Sequence, residues 1–513
     1  MKVLLAGYNL DTDIIEEFKK TSKEREDITP ETLSAAYARI SRDPRPIDEL
    51  RAIARAEVEK ARKSNKNIIF GMGHHSVAEH AVFNFDIIGV SRLAIEALEH
   101  FRLSAYTEKS QRYIKLENDY VLPEEIKGGE FEGPFKETIK LQNEFYHRLF
   151  DRLNEYFFEK HKDMAKDPKN HKIIEGYAKE DARYIAALAT QGQLGETINA
   201  RNLELLLRRF ASHELSEVRD LGRKMYEVAH KISPSIILFT SANDYDQRTY
   251  KQLKEFVGIS RNRGKTSARL RRAQPSRSVE PGKGKRETVK LEEFTKNADD
   301  IIVASFLHTS SELSYNECRK AAVGMTGAKK KEIIKKALQY MELYDSAPRE
   351  LEYVNLTFNL IVSAACFGQL KRHRLASITS QSYDPQLGVT VPESVKAVKM
   401  DKEFMGIINK TDEVYHKIAG EMPAVAQYIL TNAHRKRVLL RVDARELYHI
   451  SRMREDLAAQ WDIRETAHEM STIARKAMPL TMMLLGGKDL YPEIYKKVYG
   501  HLPKVVQAEL PRE

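Results

Sequence analysis

The sequence is poor in cysteine, with Cys318 and Cys366 as its two thiols among 513 residues. So few thiols exclude a disulfide framework or a cysteine-rich metal site, and they are typical of a protein in a reducing compartment. No run of 18 apolar residues occurs, so the sequence predicts no membrane-spanning helix. The apolar stretch after Met1 ends at Asn9, which is too short for a signal peptide. We therefore expect a globular protein of the cytoplasm.

Several familiar catalytic motifs are also missing. The chain has no Gly-x-Ser-x-Gly nucleophile motif, no P-loop and no Gly-x-Gly-x-x-Gly dinucleotide motif. Residues 73–80 contain three histidines and one glutamate. A zinc helix needs two histidines four positions apart and a third ligand, and this stretch does not supply them. The pattern favours a capped turn before a strand, and we expect no metal site.

The excess of positive charge is concentrated in one segment. The net charge is +10, and residues 260–288 contain ten Lys or Arg against two Glu. This segment is rich in Gly, Ser and Pro, so it cannot bury a core and is typical of a solvated linker. A nucleic-acid or phosphate-binding arm is the alternative. The absence of aromatic residues that could stack on bases argues against nucleic acid.

The basic segment separates two halves that repeat one another. Residues 81–89 (AVFNFDIIG) and 354–362 (VNLTFNLIV) alternate apolar and polar side chains, which predicts a half-buried strand in each half. Residues 217–234 and 462–479 match without a gap, and both predict a helix that a proline ends. Residues before these helices match as well, with Ala-Arg entering a helix in each half. The order of matched blocks indicates an internal repeat.

We define copy one as residues 1–255, the linker as 256–290 and copy two as 291–513. Strands and long helices do not alternate as regular βαβ units, so the predicted fold class is α+β.

Each copy carries one version of a charged motif, and each version lacks a different part. Residues 99–114 read EHFRLSAYTEKSQRYI, and residues 371–386 read KRHRLASITSQSYDPQ. Copy two opens its motif with two arginines around His373, three adjacent cationic or protonatable groups that indicate an anionic ligand. Copy one offers an acceptor, a hydroxyl and a guanidinium in Glu108, Ser110 and Arg112, which could hold a phosphate and a base edge together.

These motifs resemble those of the flavin-dependent thymidylate synthases, whose signature is Arg-His-Arg-x-x-Ser-x-Asn-x-x-Ser-x-Arg-Tyr. The resemblance covers nearly both copies and implies two tandem copies of that fold, a mixed sheet flanked by long helices. It implies an FAD-dependent methyltransferase that makes thymidylate (dTMP) from deoxyuridylate (dUMP). The methylene group would come from methylenetetrahydrofolate, and NADPH would reduce the flavin. The family's signature asparagine is Thr107 in copy one and Thr379 in copy two.

The resemblance also implies site residues in both copies. The residues implied in catalysis are arginines: Arg209, with Arg208 as the alternative, Arg372 and Arg454. Those implied in binding the nucleotide are polar: Glu108, Ser110, Gln111, Arg112, Arg183, Gln369 and Arg372. Those implied in binding FAD are Ser76, Glu108, Asn199, Arg201, Arg372, His373, Arg374 and Leu375.

Family members are homotetramers whose sites are shared between subunits, which explains how two incomplete motifs can serve one chain. Copy two would bring Arg-His-Arg and copy one would bring Glu-x-Ser-x-Arg, so one composite site works and the reciprocal site is inactive. A homodimer of the duplicated chain would form a pseudo-tetramer. Two alternatives stay open. One is a flavin enzyme of the same fold acting on another pyrimidine nucleotide or on RNA, and the other is a non-catalytic nucleotide-binding relic.

Overall fold

The computed structural model describes residues 1–18, 29–39, 43–71, 74–257 and 288–504. Most of the predicted linker, residues 258–287, lies outside the described residues. The described chain forms two compact units. The first lies within residues 1–278 and 393–430, and the second lies within 279–392 and 431–513. The copies defined from sequence therefore differ from the compact units, because residues 393–430 of copy two belong to the first unit.

The first unit contains a four-stranded sheet in the order β1-β2-β4-β3. Its strands are β1 (Lys2–Tyr8), β2 (Val82–Ser91), β3 (Ser104–Glu108) and β4 (Gln191–Asn199). The second unit contains a sheet of the same order, β5-β6-β8-β7. Its strands are β5 (Val289–Phe294), β6 (Asn355–Ser363), β7 (Ser377–Ser380) and β8 (Arg435–Asp443). The sheet architecture thus occurs twice, as predicted.

All the named strand pairs within the described residues are antiparallel, so the expectation of a mixed sheet was wrong. Each connection between paired strands brings the chain back to the end of the sheet that it left, which makes the pair antiparallel. The two registers correspond at the end of the central strands, although β2 has an irregularity between Ile88 and Val90 that β6 lacks. Ser91 pairs with Gln191 in the first sheet, and Ser363 pairs with Arg435 in the second. These pairings define the equivalent positions that are compared below.

Helices flank both sheets. In the first unit they are α1 (Thr12–Phe18), α2 (Glu31–Arg39), α3 (Ile47–Ala56), α4 (Val58–Lys66), α5 (Arg92–Leu98), α6 (Glu132–Lys160), α7 (Lys162–Ala165), α8 (His171–Ala182), α9 (Ala200–Ala211), α10 (Ser216–His230) and α11 (Asp244–Val257). In the second unit they are α12 (Ala298–Thr309), α13 (Tyr315–Gly324), α14 (Gly327–Leu338) and α15 (Ala364–Leu370). Copy two then adds α16 (Glu393–Ala397) and α17 (Asp401–Ala419) to the first unit. The second unit ends with α18 (Ala444–Arg454), α19 (Trp461–Ala477) and α20 (Tyr491–Tyr499). None of the described helices is long and apolar enough to cross a membrane.

The predicted alternation of the central strands is confirmed. Phe83 and Phe85 of β2 and Phe358 of β6 are buried, whereas Asn84 of β2 is exposed. Burying one face of an antiparallel strand and exposing the other produces this period of two. The two matched helices also form, as α10 and α19, and a proline follows each of them.

A buried hydrogen bond explains why residues 393–430 join the first unit. The Gln142 amide nitrogen on α6 donates to the Thr411 hydroxyl on α17 at 2.8 Å and to the Ile429 carbonyl at 3.0 Å. Phe145 of α6 also meets Phe404 of α17, with ring centroids 6.2 Å apart. The two hydrogen bonds of this buried amide nitrogen tie α17 and Ile429 to α6, since breaking them would leave a desolvated donor.

Glu196 of β4 is a buried carboxyl group in the first sheet, where the equivalent residue of β8 is Leu440. Burial raises the pKa of Glu196 to about 8, with the Tyr106 hydroxyl opposing the rise and the Glu99 carboxylate adding to it. The native state therefore retains this proton at pH values where the unfolded chain, with its ordinary pKa of 4.5, has released it. Stability should fall as the pH rises between these two values.

Replacing Glu196 with leucine, the residue of copy two, should stabilise the protein most at high pH. At pH 8 we expect the free energy of unfolding to rise by about 1–4 kcal/mol, and at pH 5 by much less. Urea denaturation at both pH values measures the difference. Glu137→Gln, which removes an exposed charge from α6, is the control. An equal gain at pH 5 and pH 8 would show that the ionisation of Glu196 does not limit stability.

Candidate functional site

A cleft in the first unit collects most of the Glu-x-Ser-x-Arg motif. Glu108 ends β3, and residues 109–112 turn away from the sheet after the Lys109 amide donates to the Gln193 carbonyl at 2.9 Å. Residues from α5, β4 and this turn line the cleft, among them Arg92, Ile95, Glu108, Ser110, Gln111 and Gly192. The cleft therefore presents a carboxylate, a hydroxyl, an amide and a guanidinium within one depression, which suits a ligand that has both charged and polar edges.

Three arginines and two glutamates form a charge cluster beside this cleft. Arg112 Nε donates to Glu180 Oε2 at 2.8 Å, and Arg92 Nη1 lies 3.5 Å from Glu108 Oε1. Burial lowers the pKa of the third arginine, Arg183. Glu180 opposes this shift, and Arg92 and Arg112 add to it. Guanidinium groups form strong hydrogen bonds to anions, so this cluster suits an anionic ligand.

The Arg-His-Arg motif lies in the second unit, where its middle residue is turned into the protein. His373 is buried, and its Nε2 accepts a hydrogen bond from Arg454 Nε at 2.9 Å. Its Nδ1 lies 3.5 Å from Glu446 Oε1. Burial lowers the pKa of His373 well below its ordinary value, and Arg454 and His449 lower it further. Of the two states that the sequence left open for His373, the structure favours the neutral ring with its proton on Nδ1.

The flanking residues of that motif face outward. Arg372, Arg374 and Leu375 are exposed, and Arg372 Nε donates to the Gly368 carbonyl at 3.3 Å. Gln369 is half-buried, and its amide donates to Gln460 Oε1 at 3.4 Å. The buried His373 thus fixes the backbone from which two exposed guanidinium groups project. Two guanidinium groups held in this way suit a phosphate or diphosphate group.

Copy one has replaced this polar core with an apolar one. The residues equivalent to His373 and Arg454 are Phe101 and Phe210, whose rings meet edge to face at a centroid distance of 5.8 Å. Phe210 occupies the position of Arg454 because the strands and helices before both residues align without a gap. The catalytic arginine that the resemblance implied for copy one, Arg209 or Arg208, therefore does not lie at the position of Arg454.

Asp246 of α11 holds both of those arginines. Arg208 Nε lies 3.0 Å from Asp246 Oδ2, and Arg209 Nη1 lies 2.9 Å from Asp246 Oδ1.

The equivalent of the first unit's cleft is filled in the second unit. Gly192 of the cleft corresponds to Lys436, and Gln111 corresponds to Tyr383. Lys436 Nζ lies 4.3 Å from the ring centroid of Phe367 and 4.1 Å from that of Tyr383, so the ammonium group is sandwiched between two aromatic rings. All three residues are buried. The second unit thus closes with its own side chains the space that the first unit leaves open.

Gly192 lets the Ile95 side chain pack closely against β4 in the lining of the first cleft. A Cβ atom placed there would lie 2.6 Å from the Ile95 side chain.

A second group of predicted residues meets at the start of α9 in the first unit. Asn199 Oδ1 accepts a hydrogen bond from the Asn202 amide at 2.9 Å and caps the helix. Arg201 Nη1 lies 2.5 Å from Glu79 Oε1, and Ser76 belongs to the same short helix as Glu79, His75–His80. Arg201 is half exposed, so its guanidinium group remains accessible to an anion. No group of three or more His, Cys, Asp or Glu side chains in the described chain is arranged to hold a metal ion.

The sequence analysis missed Arg92, Lys436 and Tyr383. Arg92 begins α5 directly after an apolar strand, and a charged residue at that point was the available signal. Lys436 was not visible from sequence, because its aromatic partners are distant in the chain.

Comparison with known proteins identifies the family. The model of the thymidylate synthase complementing proteins matches residues 26–235 and again residues 290–480, well over half of the chain. The chain belongs to this family. The two matches fall on the two copies, in agreement with the repeated sheet.

Individual relatives of the family are distant. The UPF0159 protein of Chlamydia muridarum is 24% identical over 427 residues, which are 81% of this chain and 78% of that protein. A flavin-dependent thymidylate synthase of Clostridium tetani is 29% identical over 216 residues, which are 41% of this chain and 82% of that enzyme. Among solved structures, a UMP/dUMP methylase from Streptomyces cacaoi with bound 5-Br dUMP covers 38% of this chain and 92% of its own. Its sequence identity is 16% and its TM-score is 0.30.

Proposed function

We propose that this protein is a flavin-dependent enzyme that methylates dUMP to dTMP, with methylenetetrahydrofolate as the carbon donor and NADPH as the reductant. The proposal rests on the division of the two charged motifs between the copies, since each copy keeps one of them. The second unit retains exposed Arg372 and Arg374 around a neutral, buried His373. The first unit retains an open cleft with Glu108 and Ser110. The name of the Clostridium tetani relative, a flavin-dependent thymidylate synthase, supports both the flavin and the thymidylate product.

The coordinated replacements favour an enzyme over a relic. Where copy one has lost Arg-His-Arg, it has also exchanged the buried partner Arg454 for Phe210. Where copy two has lost Glu-x-Ser-x-Arg, Lys436 and Tyr383 fill the space. Such repacking keeps the core of each copy filled, although each copy retains only one of the two charged motifs. We propose that activity requires both halves, the Arg-His-Arg motif of copy two and the Glu-x-Ser-x-Arg motif of copy one.

The available donors fit FAD. Arg372 and Arg374 are exposed cations that suit its diphosphate, and Arg201 is an accessible cation at the start of α9 beside Ser76 and Asn199. When bound and reduced, the flavin supplies the hydride and the methylene relay that the protein's side chains cannot supply. The protein's own contribution is to bind and orient. Ser110 and Gln111 hydrogen-bond the nucleotide, and Arg112 and Arg183 offset its negative charge. Leu375, which is exposed, would offer the flavin an apolar contact.

The role assigned to the remaining arginine follows from its contacts. Burial and the hydrogen bond from Arg454 both lower the pKa of His373, and that hydrogen bond also fixes the ring. We propose that Arg454 acts by supporting the Arg-His-Arg backbone, in addition to the catalytic role that the family resemblance implies.

The visible absorption spectrum of the purified protein tests the proposal first, because bound oxidised flavin is yellow. Addition of dUMP and methylenetetrahydrofolate to the reduced protein should then oxidise the flavin and yield dTMP. Methylation of UMP in preference to dUMP, or of a uridine in RNA, would select the alternative substrate. A colourless protein that takes up no added FAD would refute the assignment.

Replacing Arg374 with alanine should reduce the flavin content. A charged hydrogen bond to phosphate contributes about 1.5–3 kcal/mol, so we expect FAD to bind roughly 10- to 100-fold more weakly. Titration of the apoprotein with FAD, followed by fluorescence, measures the change. Arg349→Ala removes the same charge from an exposed residue of the same unit and is the control. Equal FAD affinity in both variants would remove Arg374 from the flavin site.

Each chain should bind one molecule of dUMP. The cleft in the first unit is open, whereas Lys436 and Tyr383 fill the equivalent space in the second unit. Isothermal titration calorimetry of the flavin-loaded protein gives the number of sites per chain. Two equal sites per chain would show that the aromatic sandwich does not close the second cleft.

A further inference from the structure

Arg92 is a buried charged residue in the wall of the cleft. Its side chain is 6% exposed, and the side chain of Glu108, whose Oε1 lies 3.5 Å from Arg92 Nη1, is 7% exposed. Taking a guanidinium group and a carboxylate out of water is costly unless each charge has a partner. Their proximity in the cleft wall indicates that the pair has a function there.

The backbone that carries Arg92 is held firmly. The Arg92 amide donates to the Thr190 carbonyl at 3.0 Å. The preceding residue, Ser91, caps α5, and its amide and hydroxyl donate to the Glu217 carboxylate at 2.7 and 2.6 Å. The Tyr428 hydroxyl donates to the same carboxylate at 2.7 Å. A guanidinium group attached to a backbone held in this way can define the position of another side chain.

Copy two provides an internal comparison, because it lacks both members of the pair. Ala364 is equivalent to Arg92, and Ser380 is equivalent to Glu108. Its sheet keeps the same strand order, and β7 pairs with β8 in the register of β3 with β4, so neither member is needed to form this fold. Arg92 and Glu108 therefore occur together in the copy whose cleft is open and are absent together from the copy whose cleft is filled.

We propose that Arg92 is a positioning residue that orients the Glu108 carboxylate to accept hydrogen bonds from a nucleotide in the cleft. This inference rests on the proposed function, since it takes the uridine nucleotide as the ligand. Arg92 holds one carboxylate oxygen from the α5 side. Arg92 thus sets the orientation of the Glu108 carboxylate, and we expect the two residues to contribute to dUMP binding as a unit.

A double-mutant cycle tests the proposal. The variants are Arg92→Ala, Glu108→Ser and the pair of both, which reproduces the combination found in copy two. The dissociation constant of dUMP is measured by calorimetry on the flavin-loaded protein, and thermal unfolding is measured alongside. Arg92→Lys tests whether another cation at this position restores binding. Arg152→Ala, at an exposed residue of α6, controls for the loss of one positive charge.

We expect Arg92→Ala and Glu108→Ser each to weaken dUMP binding about 10-fold or more, and the double variant to be no weaker than Glu108→Ser alone. Arg92→Lys should recover part of the affinity. If Arg92→Ala does not fold, the double variant and Glu108→Ser still give the decisive comparison.

Three results would overturn the proposal. The first is unchanged dUMP binding in Arg92→Ala, and the second is a loss of affinity in the double variant equal to the sum of the two single losses. The third is an Arg92→Ala variant whose sole change is a lower unfolding temperature. Binding without methylation in the wild type would refute the proposed function and leave the Arg92 test valid. A wild type that binds neither dUMP nor UMP would refute both.

Discussion

Replacing Arg112 with alanine is expected to lower the rate of dUMP methylation by about 100-fold or more, the effect of losing a charged contact of about 3 kcal/mol. Glu180 holds the Arg112 guanidinium through its Nε at 2.8 Å, and the Arg112 amide donates to the Ser110 hydroxyl at 3.2 Å. The side chain and the turn that carries Ser110 are thus ordered together. Stopped-flow measurement of flavin oxidation with dUMP and methylenetetrahydrofolate follows the loss.

Asp384 is the matched control for Arg112, because it occupies the equivalent position in copy two. Its Oδ1 accepts a hydrogen bond from the Gln386 amide at 3.0 Å and caps the short helix Pro385–Leu387. Asp384→Ala should therefore cost about 1 kcal/mol of stability and leave methylation unchanged. If Asp384→Ala lowers the rate as much as Arg112→Ala does, the assignment of the nucleotide cleft to copy one is wrong.

Replacing Arg372 with alanine should be equally severe. Arg372 is exposed beside Arg374 at the end of α15, where the buried His373 fixes the local backbone. Loss of one guanidinium from an anion site should lower the catalytic rate by about 100-fold, since a charged hydrogen bond of about 3 kcal/mol is removed. Steady-state rates of dTMP formation, with flavin content determined for each preparation, measure the effect separately from flavin loss.

His100 is the counterpart of Arg372 in copy one and gives the second control. It is exposed next to Phe101, whose ring packs against Phe210 where copy two has the His373–Arg454 hydrogen bond. His100→Ala should change the rate less than twofold, because the surrounding polar network is absent from copy one. A loss as large as that of Arg372→Ala would mean that both copies contribute this half of the machinery, and the composite arrangement would fail.

Periodicity and motif spacing determined the repeated fold. Alternation in β2 and β6 identified the central strands, because a strand that buries one face must alternate. The gapless match of residues 217–234 with 462–479 identified α10 and α19. These signals are local in sequence, so they can be recognised without knowing which residues meet in the folded chain. The Glu-x-Ser-x-Arg and Arg-His-Arg motifs were found in the same way and indicated which residues to compare.

The charge state of His373 and the closure of the second cleft required the tertiary structure. His373 is neutral because burial and Arg454, 81 positions away in the chain, disfavour its protonated form. Lys436 fills the second cleft because Phe367 and Tyr383 bring their rings to its ammonium group from other elements.

The sequence by itself determined that this protein is a repeat of one α+β fold with complementary charged motifs. Only the tertiary structure decided that residues 393–430 belong to the first unit, that Phe210 replaces Arg454, and that Arg92 lies beside Glu108. The physical reason is the range of the interactions. Strand alternation and helix periodicity depend on near neighbours, whereas burial, ion pairing and aromatic packing depend on residues that folding brings together from distant parts of the chain.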